Sequence, residues 1–428
     1  MISAASHFRE NAGRIESGTV ADRSGYWPVV LVLAAALFNT GLAFINARIK
    51  PLTGNIVILC EVLIVAGAHL YILRHLQARM VNWYFLALAF AIFAIFRISA
   101  TENIDAKYFR DVFVIVTFVL LGMTSNERRA VQMMALLQVA VILGIILEAV
   151  CIECYSDIFS VKDFYISTRG LSETDFTNLS SDLYVSATRP EARFMPFFDL
   201  HRLSSVFLEP VSLGNFMIIT AGFTAAFWNQ LSSGLRAFFV ASATLMLFAC
   251  DGRLAALATV AIVAMSVGHR ILPRHAGLVF LPIVMALAIF FTNFGGLKSG
   301  TDDLSGRVAY TAEIFSGLQF YDFAGLSDQL LDRSVDAGVV YMIITQSILG
   351  LALLWCFITL AADEATPEQK IFKNSLLLYL SLTMMVSYSF VSIKTAAPLW
   401  FIFGALLTPT ALREDAVPDS DAYTDTSG

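Results

Sequence analysis

The chain has 428 residues, of which 57% are hydrophobic and only 14% charged, with a mean hydropathy of +0.71. Soluble domains carry about 25% charged residues, so this composition excludes an ordinary soluble protein and indicates one built in a lipid bilayer. A net charge of −6, with the lysines and arginines scattered among loops, offers no basic stripe for nucleic acid, and five cysteines are too few for a disulfide-built scaffold.

Residues 1–26 are polar and contain Arg9, Arg14 and Arg23. The apolar run that follows lacks a small-residue cleavage site, so it reads as a signal anchor or first span. Apolar runs lie near 28–46, 53–73, 81–98, 109–123, 131–152, 204–227, 237–250, 254–268, 276–293, 336–360, 375–393 and 398–412. In lipid each run must satisfy its backbone internally, and the alternation of barrel strands is absent. The runs therefore predict an all-α polytopic membrane protein with about 12 transmembrane helices. The segments 237–250 and 254–268 flank Asp251-Gly252-Arg253, and read either as two tight spans or as one long broken helix.

The distribution of Lys and Arg among short loops favours a cytoplasmic N-terminus. On that side fall the N-terminal arginines, Arg74, Arg79, Arg128, Arg129, Arg236, Arg270, Arg274, Lys370, Lys373 and Arg413; the outer short loops hold Arg48, Lys50, Lys107 and Lys394. Twelve spans return the acidic tail, 413–428, to the cytoplasm, where its composition reads as disordered. The chain thus divides into a cytoplasmic tail at 1–26, a membrane domain at 27–412 and that C-terminal tail. Two long hydrophilic loops, 153–203 and 294–335, fall on the outer face, and loops of this length are uncommon without a function.

The first of these loops leads into a segment containing His201, Arg202, Glu209, Pro210 and Gly214, which places a carboxylate and a proline inside the run 204–227. A charge there faces a cavity, or else pairs with a neighbouring arginine in a helix that Pro210 bends. Arg253 follows an Asp-Gly turn at the outer boundary. A snorkelling side chain accounts for it, and so does phosphate binding, for which a planar guanidinium fork is suited. The second loop carries Asp302, Asp303 and Arg307, and Asp336 opens the next span. The acid pair reads as a solvated face, and Asp336 either as a helix N-cap or as a proton acceptor.

Other polar residues carry less weight. The six histidines lack paired ligand spacing, and no metal or cofactor is expected. Cys151 and Cys154 straddle the outer end of a span, but a spacing of three on one helix is poorly placed for a disulfide. Glu61 and Glu148 read as buried partners of other groups rather than catalysts.

In order and spacing, the Arg202-to-Gly214 segment, the Asp251-Gly252-Arg253 turn, Ser305-Gly306-Arg307 and the Asp336-to-Gly350 run together resemble the bacterial O-antigen ligase and Wzy-type polysaccharide polymerase superfamily. The resemblance implies a GT-C-like fold. It also implies that Arg253 and Arg307, with Arg202, bind the pyrophosphate of an undecaprenyl-linked glycan. Ligases of that family place a histidine, usually followed by asparagine, where this chain has Asp336-Ala337. The departure points to a polymerase, and the Arg, Glu-Pro and Gly pattern of 202–214 resembles exopolysaccharide polymerases in particular.

Undecaprenyl pyrophosphate is already an activated leaving group, so such an enzyme needs chiefly to neutralise developing charge and position a sugar hydroxyl. Arginines meet the first need, and Asp336 or Glu209 the second as general base. The expectation is an inner-membrane polymerase that acts on undecaprenyl-pyrophosphate-linked oligosaccharide at the periplasmic face. A chain-length-regulating co-polymerase is the partner such an enzyme would take. The alternatives are a ligase that moves finished glycan to another acceptor, and a lipid-linked oligosaccharide flippase or transporter, which should show repeat symmetry and matched broken helices.

Overall fold

The computed structural model describes residues 25–103, 105, 107–172, 182–187, 201–301 and 303–407, so Asp302 and the two terminal tails, apart from Gly25 and Tyr26, lie outside the described residues. Among those described there is helix and no strand. In chain order the helices are α1 (Trp27–Arg48), α2 (Gly54–Leu73), α3 (Val81–Thr101), α4 (Lys107–Met123), α5 (Glu127–Val150), α6 (Ile152–Phe159), α7 (Val161–Arg169) and α8 (Pro210–Ala226). They continue as α9 (Ser233–Cys250), α10 (Arg253–Val267), α11 (Phe280–Asn293), α12 (Leu304–Ser316), α13 (Phe320–Phe323), α14 (Gly338–Ala361), α15 (Pro367–Thr383) and α16 (Ile393–Leu406). Each apolar run contains helix. Among the described residues, seven helical segments can cross a membrane by length and composition: α1, α2, Ala78–Thr101 (which includes α3), α5, α9, Ala276–Asn293 (which includes α11) and α14. Helices α8, α10 and α16 are apolar but shorter.

The centre of the bundle is the pair α4 and α16. Every residue of α16 is buried, which is the pattern of a helix apolar on all sides and enclosed by others. Glycines let the two backbones touch: a Cβ on Gly404 would come 2.1 Å from the Val119 carbonyl oxygen, and one on Gly122 would come 2.2 Å from that of Phe401. The peripheral helices instead expose large apolar side chains, among them Leu63 on α2, Phe96 on α3 and Val260 on α10. Apolar exposure on this scale suits contact with lipid and not with water.

Polar contacts sort the connections into two ends. At one end Arg48 pairs with Asp157, Arg97 with Asp328, Arg253 with Asp303 and Lys394 with Glu209. At the other, Arg79 donates to the Met123 carbonyl, Arg274 pairs with Asp363 and Lys373 with Glu364. Helices α9 and α10 both pack along α8 and meet at a turn in which Asp251 is left-handed, with φ 48°. The chain therefore reverses there, and the two segments are separate helices.

Among the described residues the hydrophilic stretches contain helix. The first contains α7 and most of α6, and the second contains α12, α13 and a 3-10 turn over Asp332–Asp336. Cys151 and Cys154 form a disulfide, contrary to the expectation from their spacing. Cys151 has non-helical angles (φ −141°, ψ 82°) and sits at the break between α5 and α6, so the two cysteines do not share one helix.

Candidate functional site

Three chain-distant segments converge at one end of the bundle. Arg202 comes from the non-helical stretch before α8, where its Nε donates to the Cys250 carbonyl at 3.0 Å and its Nη1 to that of Ser186 at 3.4 Å. The backbone N–H of Leu203 donates to the Ala249 carbonyl at 2.8 Å, which ties this stretch to the end of α9. Arg253 is the first residue of α10, because the left-handed Asp251 and extended Gly252 end one helix and begin the next. Its Nη1 lies 3.7 Å from Asp303 Oδ2. Arg307 stands in the first turn of α12 and its Nη1 donates to Asp336 Oδ1 at 3.4 Å.

All three arginines line one cleft, together with Pro210, Asn215, Asp251, Asp303 and Ser387. Gly214 packs against the turn beside this cleft, where a Cβ would lie 3.5 Å from that of Ala255 and 3.6 Å from Cys250 Sγ, ordinary contact distances. Asn215 is fixed by donating from Nδ2 to Ser389 Oγ at 2.7 Å. The cleft therefore presents three permanently charged guanidinium groups, each already held by backbone carbonyls or carboxylates. A dianionic ligand would compete for those groups with fixed acids and gain bidentate hydrogen bonds.

Asp303 is a helix cap and not a solvated face. It accepts from the Gly306 N–H at 2.7 Å, the Ser305 hydroxyl at 2.8 Å and the Thr301 hydroxyl at 2.9 Å. These bonds, that from Gly306 foremost, hold its carboxyl below the ordinary value, so it stays ionised beside Arg253. Gly306 is required by space: a Cβ would fall 2.1 Å from the Thr301 carbonyl oxygen.

Two further expectations change. Glu209 does not lie inside a helix, because Leu208 is left-handed (φ 61°) and Pro210 opens α8, the position where its missing N–H costs nothing. The proline starts the helix and does not bend it. The Glu209 carboxylate is buried with Oε2 at 2.6 Å from Lys394 Nζ, Oε1 at 2.7 Å from Arg169 Nη1, and the Ser212 hydroxyl donating at 2.8 Å. Asp336, for its part, is not the N-cap of α14, since Ala337 occupies that place and Asp336 ends the preceding 3-10 turn. Its side chain is 59% exposed and faces Arg307.

Glu148 is a buried partner of other groups and Glu61 a half-buried one. Glu61 pairs with Arg110 at 2.8 Å, and Glu148 takes hydrogen bonds from His201 and from the backbone N–H groups of Ser204 and Ser205. Arg169 and Lys394 were not among the expected site residues. Lys394, expected in a loop, stands in the first turn of α16 and is 1% exposed. A lone lysine within an otherwise apolar stretch carries a signal, since it requires an acidic partner. Arg169 carries none, as its pairing depends on how α7 folds back. Compared with known proteins, the chain matches no family model, no curated protein and no solved structure.

Proposed function

We propose that the chain is a polysaccharide polymerase of the bacterial inner membrane, with about 12 crossings, both termini cytoplasmic and the arginine cleft at the periplasmic face. It transfers a growing glycan from undecaprenyl pyrophosphate to an incoming lipid-linked repeat unit. The observation that supports this reading is the meeting of Arg202, Arg253 and Arg307 in one cleft at the end of an apolar bundle. A lipid-linked pyrophosphate requires such a place, where a charged head meets fixed cations and its chain remains in lipid.

In this reading the arginines hold the donor pyrophosphate. The acceptor hydroxyl oxygen forms a bond to the anomeric carbon of the donor sugar from the face opposite the leaving group. The bond from that carbon to the pyrophosphate oxygen breaks, its electron pair leaves with undecaprenyl pyrophosphate, and configuration inverts. The hydroxyl proton passes to the exposed Asp336 carboxylate and then to water. Asp336 is chosen over Glu209 because the latter is enclosed by two cations and a hydroxyl.

A deletion strain tests the reading. Loss of long polymer with single repeat units still made and exported supports a polymerase. Intact polymer that lacks its final attachment would assign a ligase, and repeat units retained on the cytoplasmic side would assign a flippase.

A further inference from the structure

Beyond α12 the second hydrophilic stretch builds a separate pocket. It is lined by Thr101 from the end of α3 and by Gln319, Tyr321, Asp322, Asp328 and Gln329 from the segment that follows α12. We propose that this pocket binds neutral sugar units of the glycan, several residues removed from the bond being made. The proposal rests on the polymerase reading for the identity of the glycan, but the chemistry of the pocket is independent of it.

Among the described residues the lining includes amides, hydroxyls, carboxylates and one aromatic ring, and no lysine or arginine. That set suits neither a phosphate nor an apolar chain. It suits a hydroxyl-rich neutral molecule, whose O–H groups donate to carboxylate and amide oxygens and accept from amide N–H groups. The acceptors are set in advance. Asp328 is held by Arg97, which is itself buried and stacked on Tyr108, and by Asn103 Nδ2 at 3.1 Å. Asp322 accepts from the Gln319 N–H at 2.9 Å and so fixes the turn into α13. Tyr321 is 65% exposed, which leaves a ring face open for the C–H side of a sugar.

Position gives the pocket its role. From Arg307 to the end of α12 the helix rises about 14 Å, at roughly 1.5 Å per residue, before the chain turns into the pocket. A glycan whose reacting end lies among the arginines would reach this pocket after a short oligosaccharide. A holding point there keeps the product engaged between additions and favours long polymer.

The test uses the purified full chain in detergent and, as probe, the phosphate-free repeat-unit oligosaccharide released by mild acid from the host's own lipid-linked pool. Saturable binding is expected. Tyr321→Ala and Gln329→Ala should each weaken it about threefold to tenfold, the range of one hydrogen bond or ring contact. Tyr321→Phe should restore most of it, and Lys298→Ala, at an exposed residue that lines neither the pocket nor the cleft, should leave it unchanged. In cells the pocket variants should shift polymer to shorter lengths while single repeat units are still joined. No binding, or binding that these alanine variants leave unchanged, would overturn the pocket. If wild-type protein binds the oligosaccharide and joins no lipid-linked units, the pocket stands and the polymerase reading fails.

Discussion

Glu209 Oε2 lies 2.6 Å from Lys394 Nζ, a buried ion pair that joins the entrance of α8 to the first turn of α16 across 185 residues of chain. Arg169 closes on the other carboxylate oxygen, so one acid holds two cations directly behind Pro210 of the cleft. The arrangement gives Glu209 a positioning role. Replacing it by Gln leaves a buried lysine without its counter-charge, at a cost of roughly 3–5 kcal/mol. Glu209→Gln should therefore lower the amount of folded protein in the membrane, and Lys394→Met in the same chain should recover part of it. Normal folding of Glu209→Gln with loss of polymer alone would instead make Glu209 the base.

Asp336 permits a cleaner separation. Because Ala337 occupies the cap position of α14, removal of the Asp336 carboxylate costs only a surface ion pair, about 1 kcal/mol or less. Both Asp336→Asn and Asp336→Ala should accumulate in the membrane at the wild-type level. If the carboxylate accepts the proton, both should fail to make polymer, as judged by gel profiles of surface glycan. Normal chain length from Asp336→Asn would remove it from the chemistry.

Arg253 and Arg307 should be sensitive to shape as well as to charge. Removing one fixed electrostatic donor from a reacting site typically costs about 100-fold to 1,000-fold in rate. Arg→Ala at either position is expected to abolish detectable polymer without loss of protein. Arg→Lys should also be impaired, since an ammonium lacks the bidentate fork. Wild-type polymer from both alanine variants would contradict the assignment of the cleft.

Sidedness can be read with cysteine labelling. After replacement of Cys60, Cys250 and Cys356, a cysteine at Lys298, on the cleft end, should react with a membrane-impermeant reagent in intact cells. One at Arg270, on the opposite end, should react only after permeabilisation. The reverse pattern would place the cleft in the cytoplasm. Asp175, the natural choice in the first long loop, lies outside the described residues, and Asp322 is buried.

The helices were legible because a bilayer forces long apolar runs, and most of those runs ended near the observed caps; the run 375–393 did not, since α15 spans Pro367–Thr383. The start of α8 was misread for a specific reason: hydrophobicity continues through Val206, Phe207 and Leu208, while the backbone is set by a left-handed Leu208 and by Pro210. The three arginines were singled out through a resemblance to a known family, and the structure sets them along one cleft without testing what they bind. Their acidic partners were not legible, because pairs such as Arg253 with Asp303 and Arg307 with Asp336 depend on how α12 folds over the cleft. The Glu209 cluster was hidden for the same reason, and the Cys151–Cys154 bond because the helix break at Cys151 has no marker such as Gly or Pro.

Reconstitution tests the central claim most directly. Purified protein in liposomes, supplied with undecaprenyl-pyrophosphate-linked repeat units as both donor and acceptor, should convert them to a ladder of polymer and release one undecaprenyl pyrophosphate per bond formed. The same preparation carrying Arg253→Ala or Arg307→Ala should yield neither. Repeat units left single by the wild-type protein, or a ladder unchanged in both arginine variants, would contradict the account.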